Sequence, residues 1–121
     1  MKRILVVDDS PDTADTMAML LETSGHEVRT ATSGADALSI VDSFRPDLVL
    51  LDIGMPDMDG YAIARQLRAR NALRGALLAA VTGYDGADDR RKSREAGFHH
   101  HLVKPVGLQE VNALFDAPPS D

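Results

Sequence analysis

The chain has 121 residues, no cysteine and a formal net charge of −6. That length suits a single domain. The lack of cysteine excludes disulfide frameworks, Cys zinc sites and thiol nucleophiles, and the acidic balance argues against a broad basic surface for nucleic acid. The first apolar run, residues 4–7, stops at Asp8, too short for a signal-peptide core, and no later run reaches membrane-spanning length. The composition therefore reads as a cytoplasmic protein with no direct contact to nucleic acid or membrane.

Arg3–Val7 is a short run of β-formers ended by Asp8-Asp9-Ser10-Pro11. Ala14, Met17, Ala18 and Leu21 then recur at helical spacing, with Ser10 as N-cap, Pro11 at the first helical position and Gly25 as the stop. Residues 26–30 read as a strand. Ser33 caps a second helix with the stripe Ala37, Ile40, Val41 and Phe44, which Pro46 ends. Leu48-Val49-Leu50-Leu51 is a continuous apolar run, as in a strand covered on both faces. Residues 54–60 form a loop, with Asp59 a possible cap for a third helix over 61–70. Another apolar strand spans 76–81, and a second loop spans 82–86. The fourth helix, Ala87–Ala96, is polar and basic, which predicts few core contacts. A fifth strand over 98–103 leads to Lys104-Pro105 and a last helix carrying Leu108, Val111, Leu114 and Phe115. Residues 117–121 read as a flexible tail or linker stub, leaving residues 1–116 as the domain.

Five βα units in succession imply a parallel sheet with helices on both faces. The size fits a flavodoxin-like doubly wound α/β sheet of order 2-1-3-4-5, whose crevice lies at the carboxyl ends of the strands. Strand one ends there in Asp8 and Asp9, strand three in Asp52, strand four in Thr82 and strand five in Lys104. Three carboxylates at adjacent strand ends repel one another, and a hard, oxygen-seeking cation such as Mg²⁺ relieves this. A cation, an ammonium and a hydroxyl around one carboxylate are the parts that hold a phosphoryl group, for which positioning and charge neutralisation matter most. Asp52 is then the nucleophile, giving an acyl phosphate.

Each residue also has a plainer reading: Asp8 and Asp9 as turn formers and caps, Thr82 as a turn hydroxyl, Lys104 as a solvated surface cation. Their registration on successive strand ends is what outweighs it. In His99-His100-His101 only the first and third share a strand face, and no third ligand is evident, which disfavours a metal site. Arg90-Arg91-Lys92 and Arg94 read first as a solvated face and second as a partner-binding one.

The combination of Asp8-Asp9, Asp52 with Met55-Pro56 and Asp59-Gly60, Thr82, and Lys104-Pro105 resembles the response-regulator receiver family over nearly the whole chain. The resemblance implies that Asp9, Asp52 and the carbonyl of Gly54 bind Mg²⁺ directly, that Asp8 acts through water, and that Thr82 and Lys104 engage phosphoryl oxygens. It also implies a cis Lys104-Pro105 bond. The expected function is a phosphoacceptor in a two-component phosphorelay, a switch rather than an enzyme. Its expected partner is a sensor histidine kinase or a histidine phosphotransfer protein. The phrases Thr82-Gly83-Tyr84 and Gly97-Phe98-His99-His100-His101-Leu102-Val103-Lys104-Pro105 look most like receivers covalently linked to hybrid kinases. His101 stands where the family often has a switch aromatic. Gly54 and Tyr84 flank the expected path of the hydrolytic water.

The alternatives are weaker. A haloacid-dehalogenase-type phosphatase would need an acid two residues after Asp52, where Gly54 stands. A phosphorylation-independent scaffold would have lost part of the pocket, and nothing is lost. Neither G-x-x-x-x-G-K nor G-x-G-x-x-G occurs for nucleotide binding.

Overall fold

In the computed structural model, which describes residues 2–54, 59–83 and 87–115, the five strands are β1 (Arg3–Val7), β2 (Glu27–Ala31), β3 (Leu48–Asp52), β4 (Leu77–Thr82) and β5 (His100–Val103). They alternate with α1 (Pro11–Glu22), α2 (Gly34–Phe44), α3 (Gly60–Arg68), α4 (Ala87–Ala96) and α5 (Leu108–Leu114). All strand pairs are parallel, and the sheet order is β2-β1-β3-β4-β5. The expected doubly wound sheet is therefore the observed one.

Period-two alternation along the strands builds two cores. Ile4, Val6, Leu48, Leu50 and Ala79 face one side of the sheet, where Ala14, Leu21, Val111 and Leu114 of α1 and α5 cover them. Leu5, Val7, Val49, Leu51 and Ala80 face the other, under Ala37, Val41, Ile63, Ala64 and Leu67 of α2 and α3 and Ala96 of α4. Each large side chain buried this way contributes roughly 1.5–3 kcal/mol.

The helix starts follow the sequence signals. The Ser10 hydroxyl accepts from Thr13 N–H at 3.4 Å with Pro11 in the first turn, and the Ser33 hydroxyl accepts from Asp36 N–H at 3.1 Å. Asp59 Oδ1 accepts from the N–H groups of Tyr61 and Ala62, so Asp59 is a cap, as its position before α3 suggests. Gly60 is required by closeness: a Cβ there would sit 2.8 Å from Ile53 Cα. The start of α3 is thus pressed against the chain just beyond Asp52.

Boundaries differ where side chains replace ladder bonds. β5 begins at His100 rather than residue 98. His99 donates its own N–H to Leu78 O at 2.7 Å, yet its ring Nδ1 accepts the Leu78 N–H at 3.0 Å, so an imidazole takes the place of a strand carbonyl. At the far edge, β2 begins at Glu27 because the His26 ring accepts the Lys2 N–H at 3.2 Å. The third helix ends at Arg68 and is followed by a separate 3-10 turn, Asn71–Leu73. Residues 55–58, 84–86 and 116–121 lie outside the described residues, and with them the expectations for Met55-Pro56, Asp57, Tyr84 and the 117–121 tail.

Candidate functional site

Strand register brings the chemistry to one end of the sheet. Val7 pairs with Leu51, so Asp8 emerges beside Asp52. Asp52 pairs with Val81 and Thr82 with Val103, so Thr82 and then Lys104 each step one residue further along. The result is a row of functional groups that are distant in sequence: Asp8 and Asp9, Asp52, Thr82 and Lys104. Asp8, Asp52 and Thr82 are each only 6 % exposed, and Asp9 is the least buried of the three acids.

The acids converge. One carboxylate oxygen from each of Asp8, Asp9 and Asp52 lies within 4.8 Å of the others, the one group of metal-ligating type among the described residues. The histidine run forms no such group there, in line with its strand alternation. Asp8 Oδ1 accepts from Ser10 N–H at 2.9 Å, and Asp52 Oδ1 accepts from Gly54 N–H at 2.8 Å. Each bond turns one oxygen toward the following loop.

Lys104 faces the acids directly. Its Nζ donates to Asp52 Oδ2 at 2.8 Å and lies 3.8 Å from Asp8 Oδ2. Its placement follows from the backbone, since Lys104 N–H donates to Thr82 O at 2.8 Å and the next peptide bond, Lys104-Pro105, is cis. The electrostatics match this geometry. Burial is the main reason that the Asp8 carboxyl is raised above its usual range. The Ser10 N–H opposes that rise, Asp52 adds to it, and Lys104 and Asp9 act more weakly. Burial pulls the Lys104 ammonium down, but its hydrogen bond to Asp52 and the charges of Asp52, Asp8 and Asp9 outweigh this, and its pKa is raised.

All the site residues expected from sequence (Asp8, Asp9, Asp52, Gly54, Thr82 and Lys104) meet at this pole. The sequence did not reveal the partner of His101. Its Nδ1 lies 3.0 Å from the hydroxyl of Ser93, a residue of α4 that is 1 % exposed. A cleft of about 590 Å³ beside the acids was also missed, lined by Met17 and Leu20 of α1 and by Pro105 and Val106 after β5.

Against known proteins, the profile of the response regulator receiver domain matches residues 4–116. The chain belongs to that family. It is 40 % identical over 115 residues to the transcriptional regulatory protein PrrA of Mycobacterium tuberculosis, covering 95 % of this chain and 48 % of PrrA. It is 35 % identical to protein PilH of Pseudomonas aeruginosa, covering 94 % and 98 % of the two chains. Among solved structures it superposes on chemotaxis protein CheY4 of Vibrio cholerae with a TM-score of 0.88 at 25 % identity, over 96 % and 97 % of the chains. This receiver domain thus spans about half the length of the transcriptional regulators that it matches and nearly all of PilH. No helix among its described residues is long and apolar enough to cross a membrane.

Proposed function

We propose that this receiver domain accepts a phosphoryl group on Asp52 from a phosphohistidine of a sensor histidine kinase or a phosphotransfer protein in the cytoplasm. The observation that carries this reading is the arrangement around Asp52: two further carboxylates close by, the Lys104 ammonium 2.8 Å from Asp52 and 3.8 Å from Asp8, and the buried Thr82 at the end of the adjacent strand.

The donor set fits Mg²⁺, because three carboxylates that approach within 4.8 Å with the Asp8 carboxyl raised by burial form an all-oxygen site short of positive charge. Asp9, Asp52 and the Gly54 carbonyl would hold the ion, with Asp8 acting through water. When bound, the ion would neutralise charge on the transferring group and on the acids.

The protein's own groups do the rest. Asp52 Oδ1 is held by the Gly54 N–H, and Oδ2 is paired with Lys104, so the acceptor carboxylate is oriented before the donor arrives. The nucleophilic carboxylate oxygen attacks phosphorus, and the donor imidazole leaves with the electron pair of its N–P bond. Lys104 then pairs with an equatorial phosphoryl oxygen instead of the carboxylate. Thr82 donates its hydroxyl proton to another, since a new anionic acceptor favours a charge-assisted hydrogen bond. That inward turn of Thr82 is the first step of the switch. His101, two strand positions before Val103, which pairs with Thr82, lies next along the path toward α4.

The test is incubation of the protein with Mg²⁺ and a small phosphodonor, followed by intact-mass and peptide mapping. One added phosphoryl group on Asp52, absent in Asp52→Asn, is expected. Equal phosphorylation of that variant at another residue would reject the assignment.

A further inference from the structure

At the pole opposite the acids, the sheet begins and α5 ends. His26, just before β2, joins the two. Its Nδ1 lies 3.2 Å from the Lys2 backbone nitrogen, and its Nε2 lies 2.8 Å from Asn112 Oδ1 in α5. The ring also stacks, tilted by 38°, on Phe115 at 5.8 Å between centroids, and Lys2 Nζ lies over the same Phe115 ring at 5.5 Å. One imidazole therefore bridges the first residues of the chain, the start of β2 and the last turn of α5, across 86 residues of sequence.

The partners fix the proton. A backbone N–H can only donate, so Nδ1 must be the bare, accepting nitrogen. A neutral ring then carries its hydrogen on Nε2, where Asn112 Oδ1 accepts it. The bridge is complete only in this one tautomer of the neutral ring. A second proton must go on Nδ1. It would meet the Lys2 N–H head-on, turn an acceptor into a donor, and add a positive charge on the side where the Lys2 ammonium already lies over Phe115.

Among the described residues no carboxylate is hydrogen-bonded to the ring, whose two nitrogens face Lys2 and Asn112. Glu27 of β2 is turned toward Arg3 at 3.8 Å. Glu22 of α1 and Glu27 line a separate surface hollow with Arg3. Glu110, the titratable group among the described residues of α5, caps the other end of that helix by accepting the Gly107 N–H.

We infer that His26 is a proton-controlled latch for α5: neutral, it ties the last turn of the helix to the N-terminal edge of the sheet; protonated, it releases that turn. The latch is separate from Asp52 and acts on the fold whether or not a phosphoryl group is present. Release exposes Phe115 and loosens the end of α5 on the face that α5 shares with α1, while the phosphoacceptor end stays in place.

The experiment is NMR on the whole chain across the histidine titration range. It reads His26 ring nitrogen shifts, the Lys2 amide, the Asn112 side-chain amide and hydrogen exchange along α5. At the high end of the range the ring should show the Nε2–H tautomer. On protonation, the Lys2 and Asn112 signals should move with the His26 midpoint. Exchange of residues 112–115, corrected for its intrinsic pH dependence, should rise a few-fold to about ten-fold, the scale of one lost hydrogen bond. His26→Phe keeps a ring on Phe115 and retains every other histidine, so in it the pH response of α5 should vanish. Asn112→Ala should raise α5 exchange at every pH. An Nδ1–H tautomer in the neutral state, or an α5 pH response that persists unchanged in His26→Phe, would overturn the latch.

Discussion

Lys104 Nζ donates to Asp52 Oδ2 across 2.8 Å, so the cation is already engaged with the carboxylate that we propose as the phosphoryl acceptor. The pairing is charge-assisted, but the Lys104 side chain is 39 % exposed, and solvent screening keeps its net worth near ~1 kcal/mol. Its larger effect is on the phosphorylated state, where no other ammonium is in reach among the described residues. Lys104→Ala should leave Asp52 as the acceptor yet lower the phosphorylated fraction at a fixed donor concentration by about ten-fold or more. Quantitative intact-mass analysis checks this; an undiminished fraction would show that the ammonium is dispensable.

The Asp8 carboxyl offers a stability test. Burial raises its pKa in the fold. A carboxyl raised on folding contributes stability below its unfolded pKa and loses it as pH rises through the folded one, so at neutral pH the ionised group is a net cost. Asp8→Asn should therefore raise the melting temperature in chelator-treated buffer, on the order of 4 °C, while weakening Mg²⁺-dependent phosphorylation. A scan showing a lower melting temperature would mean that the Ser10 and Lys104 contacts outweigh desolvation.

Acid should destabilise the fold through β5. Burial lowers the pKa of His99, with Arg68 and His100 adding to the effect, and burial lowers that of His100. The unfolded chain takes up these protons near the ordinary histidine pKa while the folded one resists. The stability from the neutral rings is present above that pKa and drains away as pH falls below it. For His100, which is 6 % exposed, the slope is at most about 1.4 kcal/mol per pH unit. Urea unfolding at several pH values should show a shallower acid limb in His100→Gln than in the unaltered chain.

The His101–Ser93 contact joins β5 to α4. Of the described side chains of α4, Ser93 and Ala96 are buried, so this hydrogen bond is one of the contacts that anchor the helix. Ser93→Ala should cost about 1 kcal/mol and raise hydrogen exchange in α4 above that of every other helix, with phosphorylation of Asp52 retained. His101→Tyr, which places an aromatic phenol at the same strand position, should enlarge the exchange change that follows phosphorylation, and His101→Ala should shrink it.

By itself the sequence determined the alternation of strand and helix, the caps at Ser10, Ser33 and Asp59, and the placement of Asp8, Asp9, Asp52, Thr82 and Lys104 at strand ends. These depend on short-range patterns of two to four residues, and parallel βα units leave few ways to assemble them. Only the tertiary structure decided which groups touch. The Lys104–Asp52 pair depends on register across three strands, the His101–Ser93 bond on how α4 lies over β5, and the His26 bridge on the return of α5 to the start of the chain. Such contacts between residues far apart in sequence leave no local period to read. The late start of β5 was hidden for a related reason: an imidazole taking the Leu78 N–H is a choice among hydrogen-bond partners that exists only once β4 and β5 lie side by side.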